Sequence, residues 1–264
     1  MVMNGGLVIA ERIPYLAREE LRAPLEARLR KLSSSLDVSV KVEGVSSNGF
    51  VKIGVQGSDS EVFTELIKRE LGLAPSNLSE VEVDDNFKAY VTKIDQKRQS
   101  IEVEIGPVSA QFKFEIPREA LMAQLCDGRN TPLDKVARAY CIQEGVPILV
   151  RITFIDPDRR HIEAWISDDQ ISRFDQWRRR RFHRIIAIGG FQDELREAMR
   201  LSKVERDVIE LEELAMTTHC LVCKLGTDAP GVIAKIGRYV SNFKLHAFLP
   251  ERVEELRTGL GEPR

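Results

Sequence analysis

Cysteine is scarce, with four in 264 residues, too few for a disulfide scaffold and consistent with thiols kept reduced. Long apolar runs are missing: stretches such as 185–188 and 220–223 fall far short of the roughly 20 residues that cross a bilayer. No membrane partner is expected. The N-terminus shows no basic region leading into an apolar stretch and a small-residue cleavage site, so a cytoplasmic location is expected. An excess of one charge sign is lacking too. With 39 basic and 41 acidic residues the net charge is −2, so affinity for a polyanion must come from local clustering. Histidines are few and scattered, at 161, 183, 219 and 246, and no close pair joins Cys220 and Cys223 to complete a zinc site. Those two cysteines sit three apart in a strand pattern, which points them to opposite faces. There is no serine nucleophile elbow, no cysteine with a matching histidine and no recognisable acid/base pair. The expectation is a protein that is not an enzyme and uses no metal and no cofactor.

What is present is a sequence with 43% hydrophobic and 30% charged residues, enough for two or three compact domains. Residues 1–84 open with an apolar run at 7–10 and continue with Leu21, Leu25, Leu29 and Leu32 at helical spacing. Alternating segments at 38–42 and 50–55 flank Asn48-Gly49, a strong hairpin signal. Ser58 or Asp59 caps a helix bearing Val62, Leu66 and Ile67, and residues 81–83 offer a last strand. The order βαββαβ predicts a ferredoxin-like domain.

From 86 to 170 the pattern changes to period-two alternation, seen in Phe87, Ala89 and Val91, then Ile101, Val103 and Ile105, then Ala110, Phe112, Phe114 and Ile116. Thr131-Pro132-Leu133-Asp134 reads as a helix start, and strands at 148–155 and 161–166 flank the turn Asp156-Pro157-Asp158. Three strands, a helix and two strands predict an OB-type β-barrel. A basic connecting segment spans 171–183, a second βαββαβ ferredoxin-like domain 184–250, and a polar tail 251–264. The fold class expected is α+β, with ferredoxin-like domains flanking the barrel.

Asp207-Val208-Ile209-Glu210-Leu211-Glu212, Cys223-Lys224-Leu225-Gly226-Thr227-Asp228-Ala229-Pro230-Gly231 and Ala247-Phe248-Leu249-Pro250 together resemble an uncharacterised archaeal family, domain of unknown function 2110. The resemblance spans the chain and is sharpest after His183. It implies a cytoplasmic archaeal protein and carries no catalytic residue across.

Strand parity that buries Phe87, Ala89, Val91, Phe112, Phe114, Val150 and Ile152 turns Lys88, Tyr90, Lys113, Arg151, His161 and Trp165 to the opposite side. Cations neutralise phosphates and rings stack on bases, at roughly 1–3 kcal/mol per base, so this face is a candidate for single-stranded nucleic acid. The competing reading packs Tyr90 and Trp165 against a flanking domain. Arg178, Arg179, Arg180 and Arg181 cannot all lie on one side of a helix, so some reach solvent, phosphate or an acidic surface. Gly226, Thr227 and Gly231 offer an anion-binding loop between strand and helix, although Asp228 alone can cap that helix. The leading expectation is an RNA-binding or ribosome-associated protein, with a homodimer through the ferredoxin-like sheets. The alternative is a regulatory protein that binds a small ligand through ACT-like flanking domains.

Overall fold

The computed structural model describes residues 6–13 and 18–258, with side chains from residue 22 onward in the first helix. β1 (Leu7–Arg12) buries Val8, Ile9 and Ala10 in succession because both of its faces are covered. α1 (Arg18–Ser33) and α2 (Ser60–Glu70) cover one face with Leu25, Leu29, Phe63 and Ile67. Val8, Ala10 and Phe50 lie in a second cluster with Ala74, Tyr90 and Ala215. β2 (Val38–Val45) and β3 (Phe50–Gly57) form the predicted hairpin; Gly49 turns the chain at φ 94, where a side chain would clash. The sheet order is β1-β3-β2. The predicted strand at 81–83 does not form. Leu73 bridges Ile9 instead, and Val81 is a buried residue ending a short 3-10 turn.

β4 (Asn86–Asp95), β5 (Ser100–Glu104), β6 (Lys113–Pro117), β7 (Pro147–Asp156) and β8 (His161–Ile166) close into a five-stranded ring in the order β4-β5-β6-β8-β7. The ring closes because β4 is long enough to pair with β7 along its first half and with β5 along its second. The β6–β8 pair is parallel and the other pairs antiparallel. Two helices separate β6 from β7 where one was predicted. α4 (Leu133–Ala139) is the expected one; α3 (Arg118–Leu125) is additional, built from the strong helix formers Glu119, Ala120, Leu121 and Met122.

α5 (Asp168–Arg180) replaces the predicted connecting segment and leads into β9 (Arg184–Ile188), α6 (Gln192–Leu201), β10 (Val208–Ala215), β11 (Thr218–Cys223), α7 (Ala229–Ile236) and β12 (Lys244–Phe248). Their four-stranded sheet has the order β10-β11-β9-β12. Every residue of β9 is buried. Ile185 and Ala187 face the helices, while Ile186 and Ile188 join the core that fills the ring. Cys220 and Cys223 divide in the same way, one to each core, as their spacing required. The centre of this sheet, at β9 and β11, is therefore covered on both faces, one by α6 and α7 and the other by a cluster that includes Phe174, Trp177 and Val253, whereas β10 is exposed or half-buried along most of its length.

The predicted polar tail is also different. Pro250–Thr258 forms α8, which buries Val253 and sets Arg257 2.8 Å from Asp175 on α5; residues 259–264 lie outside the described residues. Among the described residues no helix is long and apolar enough to cross a membrane.

Candidate nucleic-acid interface

Ser167 starts α5 by accepting a hydrogen bond from Gln170 N at 3.3 Å, with Asp168 and Asp169 in the first turn and Arg178, Arg179 and Arg180 in the last. Both charge groups complement the helix dipole. Ser167→Ala is expected to lower stability by about 1 kcal/mol in a urea titration; an unchanged midpoint would remove the cap from this account. The helix period turns Phe174 and Trp177 inward. Trp177 is buried edge-on against Phe174 and Phe248, with ring centroids 6.0 and 5.3 Å apart, so it does not reach a nucleic-acid base.

The four arginines separate into two kinds. Arg178 Nη1 donates to both carboxylate oxygens of Glu254 at 2.9 Å, and its Nε approaches Asp175 at 3.4 Å. Arg179, Arg180 and Arg181 are exposed and form no ion pair among the described residues. Arg181 ends the helix in the left-handed region at φ 54.

On the ring's outer wall the prediction needs several corrections. Tyr90 is 1% exposed, because the N-terminal sheet lies over it. Its hydroxyl donates to Ala10 O at 3.2 Å, its ring meets Phe50 edge-on at 5.9 Å, and burial pushes the phenol well above its ordinary pKa. Lys88 Nζ is held 2.7 Å from Glu11, itself a buried carboxylate. Lys113 pairs with Glu115 and lies 3.3 Å from Glu102; His161 lies 3.6 Å from Glu115 and 3.5 Å from Glu163. Burial alone would raise the Glu115 pKa, but the Lys113 ammonium outweighs it and holds the carboxyl below its usual range. This part of the wall is neutralised by the protein's own acids.

Arg151 and Trp165 do sit side by side, as directly paired residues of β7 and β8, with Asp168 3.6 Å from the guanidinium. Trp165 is half-buried, and Phe154, further along β7, is 49% exposed. Sequence reasoning marked the turn at 156–158 but missed the cations carried by the two hairpin turns of the ring. Lys97 and Arg98 occupy one and Arg159 and Arg160 the other; all are exposed, and among the described residues only Arg159 has an ion pair, with Asp156 at 3.6 Å. Adjacent cations inside turn sequences were the available signal.

The predicted anion-binding loop is occupied by its own contacts. Thr227 N donates to Lys224 O at 2.9 Å, Gly231 N to the Asp228 carboxylate at 2.8 Å, and Ala229 N to His183 Nδ1 at 3.3 Å. Asp228 caps α7, and an anion would have to displace it. Among the described residues no group of three or more His, Cys, Asp or Glu is placed to hold a metal ion.

The strand–helix–hairpin–helix–strand order after residue 183 and the capped loop at 226–231 coincide with a known family: residues 182–247 match the DUF2110 C-terminal domain. The match covers about a quarter of the chain, and it is this C-terminal part that is similar to the domain of unknown function 2110 family. The match begins at Phe182, directly after the exposed arginines. No curated protein matches the chain. Among solved structures, the "Crystal structure of a/eIF2alpha-aDim2p-rRNA complex from Pyrococcus horikoshii OT3" is similar at 13% identity, with 58% of this chain and 68% of that chain covered and a TM-score of 0.25. A score that low carries no argument about fold or partner.

Proposed function

We propose that this chain is a non-catalytic, cytoplasmic RNA-binding protein that grips phosphate through Arg179, Arg180 and Arg181 and docks on a larger ribonucleoprotein such as the ribosome. The observation that carries the reading is three consecutive guanidinium groups left without carboxylate partners among the described residues, in a chain of net charge −2 whose other candidate cations are mostly paired. Arginine suits this role because its planar fork holds phosphate oxygens in pairs and its charge is constant at any working pH.

The five-stranded ring is read as an OB-type barrel, supported by its strand order and by a helical connection between its third and fourth strands. The N- and C-terminal units are read as ferredoxin-like, the first with its last strand reduced to the Leu73 bridge. Arg151 and Trp165, paired across β7 and β8, are read as a secondary surface where a base meets a ring. The small-ligand alternative is weakened, since the Thr227, Ala229 and Gly231 amides of its loop are occupied.

The test is an anisotropy titration of a fluorescent mixed-sequence single-stranded RNA with wild-type protein and the triple variant Arg179→Gln, Arg180→Gln, Arg181→Gln. Three lost phosphate contacts are expected to weaken binding about 100-fold at roughly 0.1 M salt. Equal affinities would remove the arginine cluster from the function.

A further inference from the structure

We infer that the loop between β11 and α7 belongs to the same RNA-binding surface, with Lys224 contacting phosphate and Leu225 packing on a base or ribose. The inference rests on the RNA-binding reading and extends it to two residues outside the arginine run.

Antiparallel pairing of β9 with β11 sets Arg184 opposite Val222, and Cys223 N donates to His183 O at 2.9 Å. Lys224 and Leu225 follow directly, where the chain leaves β11 and turns, with Thr227 N donating to Lys224 O at 2.9 Å. His183 fixes this junction: its Nδ1 accepts from Ala229 N at 3.3 Å, and its Nε2 lies 3.2 Å from Glu251. The loop is therefore held at the end of α5.

Leu225 is 74% exposed, more than any other large apolar side chain of the described residues. Gly226 follows at φ 83, and a side chain built there would meet nothing within 4 Å. Lys224 is exposed and has no ion pair among the described residues. The nearby acids are engaged: Asp228 caps α7 and Glu251 sits against His183. An exposed apolar side chain next to Lys224, on a loop tied through His183 to the segment that follows Arg179, Arg180 and Arg181, suits a polyanion with apolar base and sugar faces better than an apolar protein groove, which would have to desolvate the nearby cations.

The experiment compares wild-type, Lys224→Gln and Leu225→Ala proteins against the same RNA across a salt series. Lys224→Gln is expected to weaken binding about fivefold at roughly 0.1 M salt and to make the salt dependence shallower by about 0.7. Leu225→Ala is expected to weaken binding about fivefold with the salt dependence unchanged, since it removes apolar contact and no charge. Both side chains are exposed, and thermal melts matching wild type verify folding. If both variants bind like wild type while the arginine triple variant is impaired, the inference is overturned and the RNA-binding reading stands. If wild type itself does not bind RNA, both are overturned.

Discussion

Glu11→Ala is expected to lower the stability of the protein by about 3–5 kcal/mol, because it removes one partner of a buried ion pair and leaves the other behind. Glu11 is 3% exposed and lies on β1 between Ala10 and Arg12. Its carboxylate accepts from Lys88 Nζ on β4 at 2.7 Å and from Met216 N in the β10–β11 turn at 2.9 Å, with the Tyr90 hydroxyl at 3.5 Å. One side chain thus ties the N-terminal sheet to the ring and to the C-terminal sheet. Alanine strands the Lys88 ammonium and the Met216 amide together; Glu11→Gln, which keeps a carbonyl for the amide, is expected to lose roughly half as much. Urea titration reads the effect as a lower midpoint at constant slope. A midpoint within error of wild type would show that the junction does not depend on this carboxylate.

Arg184→Met is expected to destabilise by about 3 kcal/mol, whereas glutamine at 179–181 changes stability by no more than about 1 kcal/mol. Arg184 is 1% exposed, with Nη1 2.9 Å from Glu212 and its guanidinium 4.9 Å from the Trp177 ring centroid. Methionine fills part of the volume but loses the cation–π contact and leaves Glu212, itself 26% exposed, without its partner. Thermal melts of the two variants side by side give the comparison. Equal losses would contradict the division of these arginines into structural and surface groups.

That division was not legible in the sequence. Arg178, Arg179, Arg180, Arg181 and Arg184 look alike in a string of residues, and only helix phase and the docking of α8 decide that Arg178 meets Glu254 and Arg184 goes under Trp177. Local patterns were readable. Asn48-Gly49 marked the hairpin, period-two alternation marked the strands of the ring, and the Cys220–Cys223 spacing gave opposite faces. Strand parity also placed Lys88 and Tyr90 on the outside of the ring, but parity cannot say what covers an outside face. Here the N-terminal sheet does. The apolar spacing of Val62, Leu66 and Ile67 marked α2, yet Val62 is 58% exposed, while Phe63 beside it is buried with Ile67. Glu11 escaped notice because an acid at the end of an apolar strand reads as a solvated edge until its partners on two distant elements are known.

The salt dependence of RNA affinity, measured for wild type and for the 179–181 glutamine variant over the same range, bears most directly on the central claim. The wild-type slope of log affinity against log salt is expected to be steeper by about 2, with the two lines meeting near 1 M salt. Parallel lines, or a wild type whose affinity ignores salt, would contradict it.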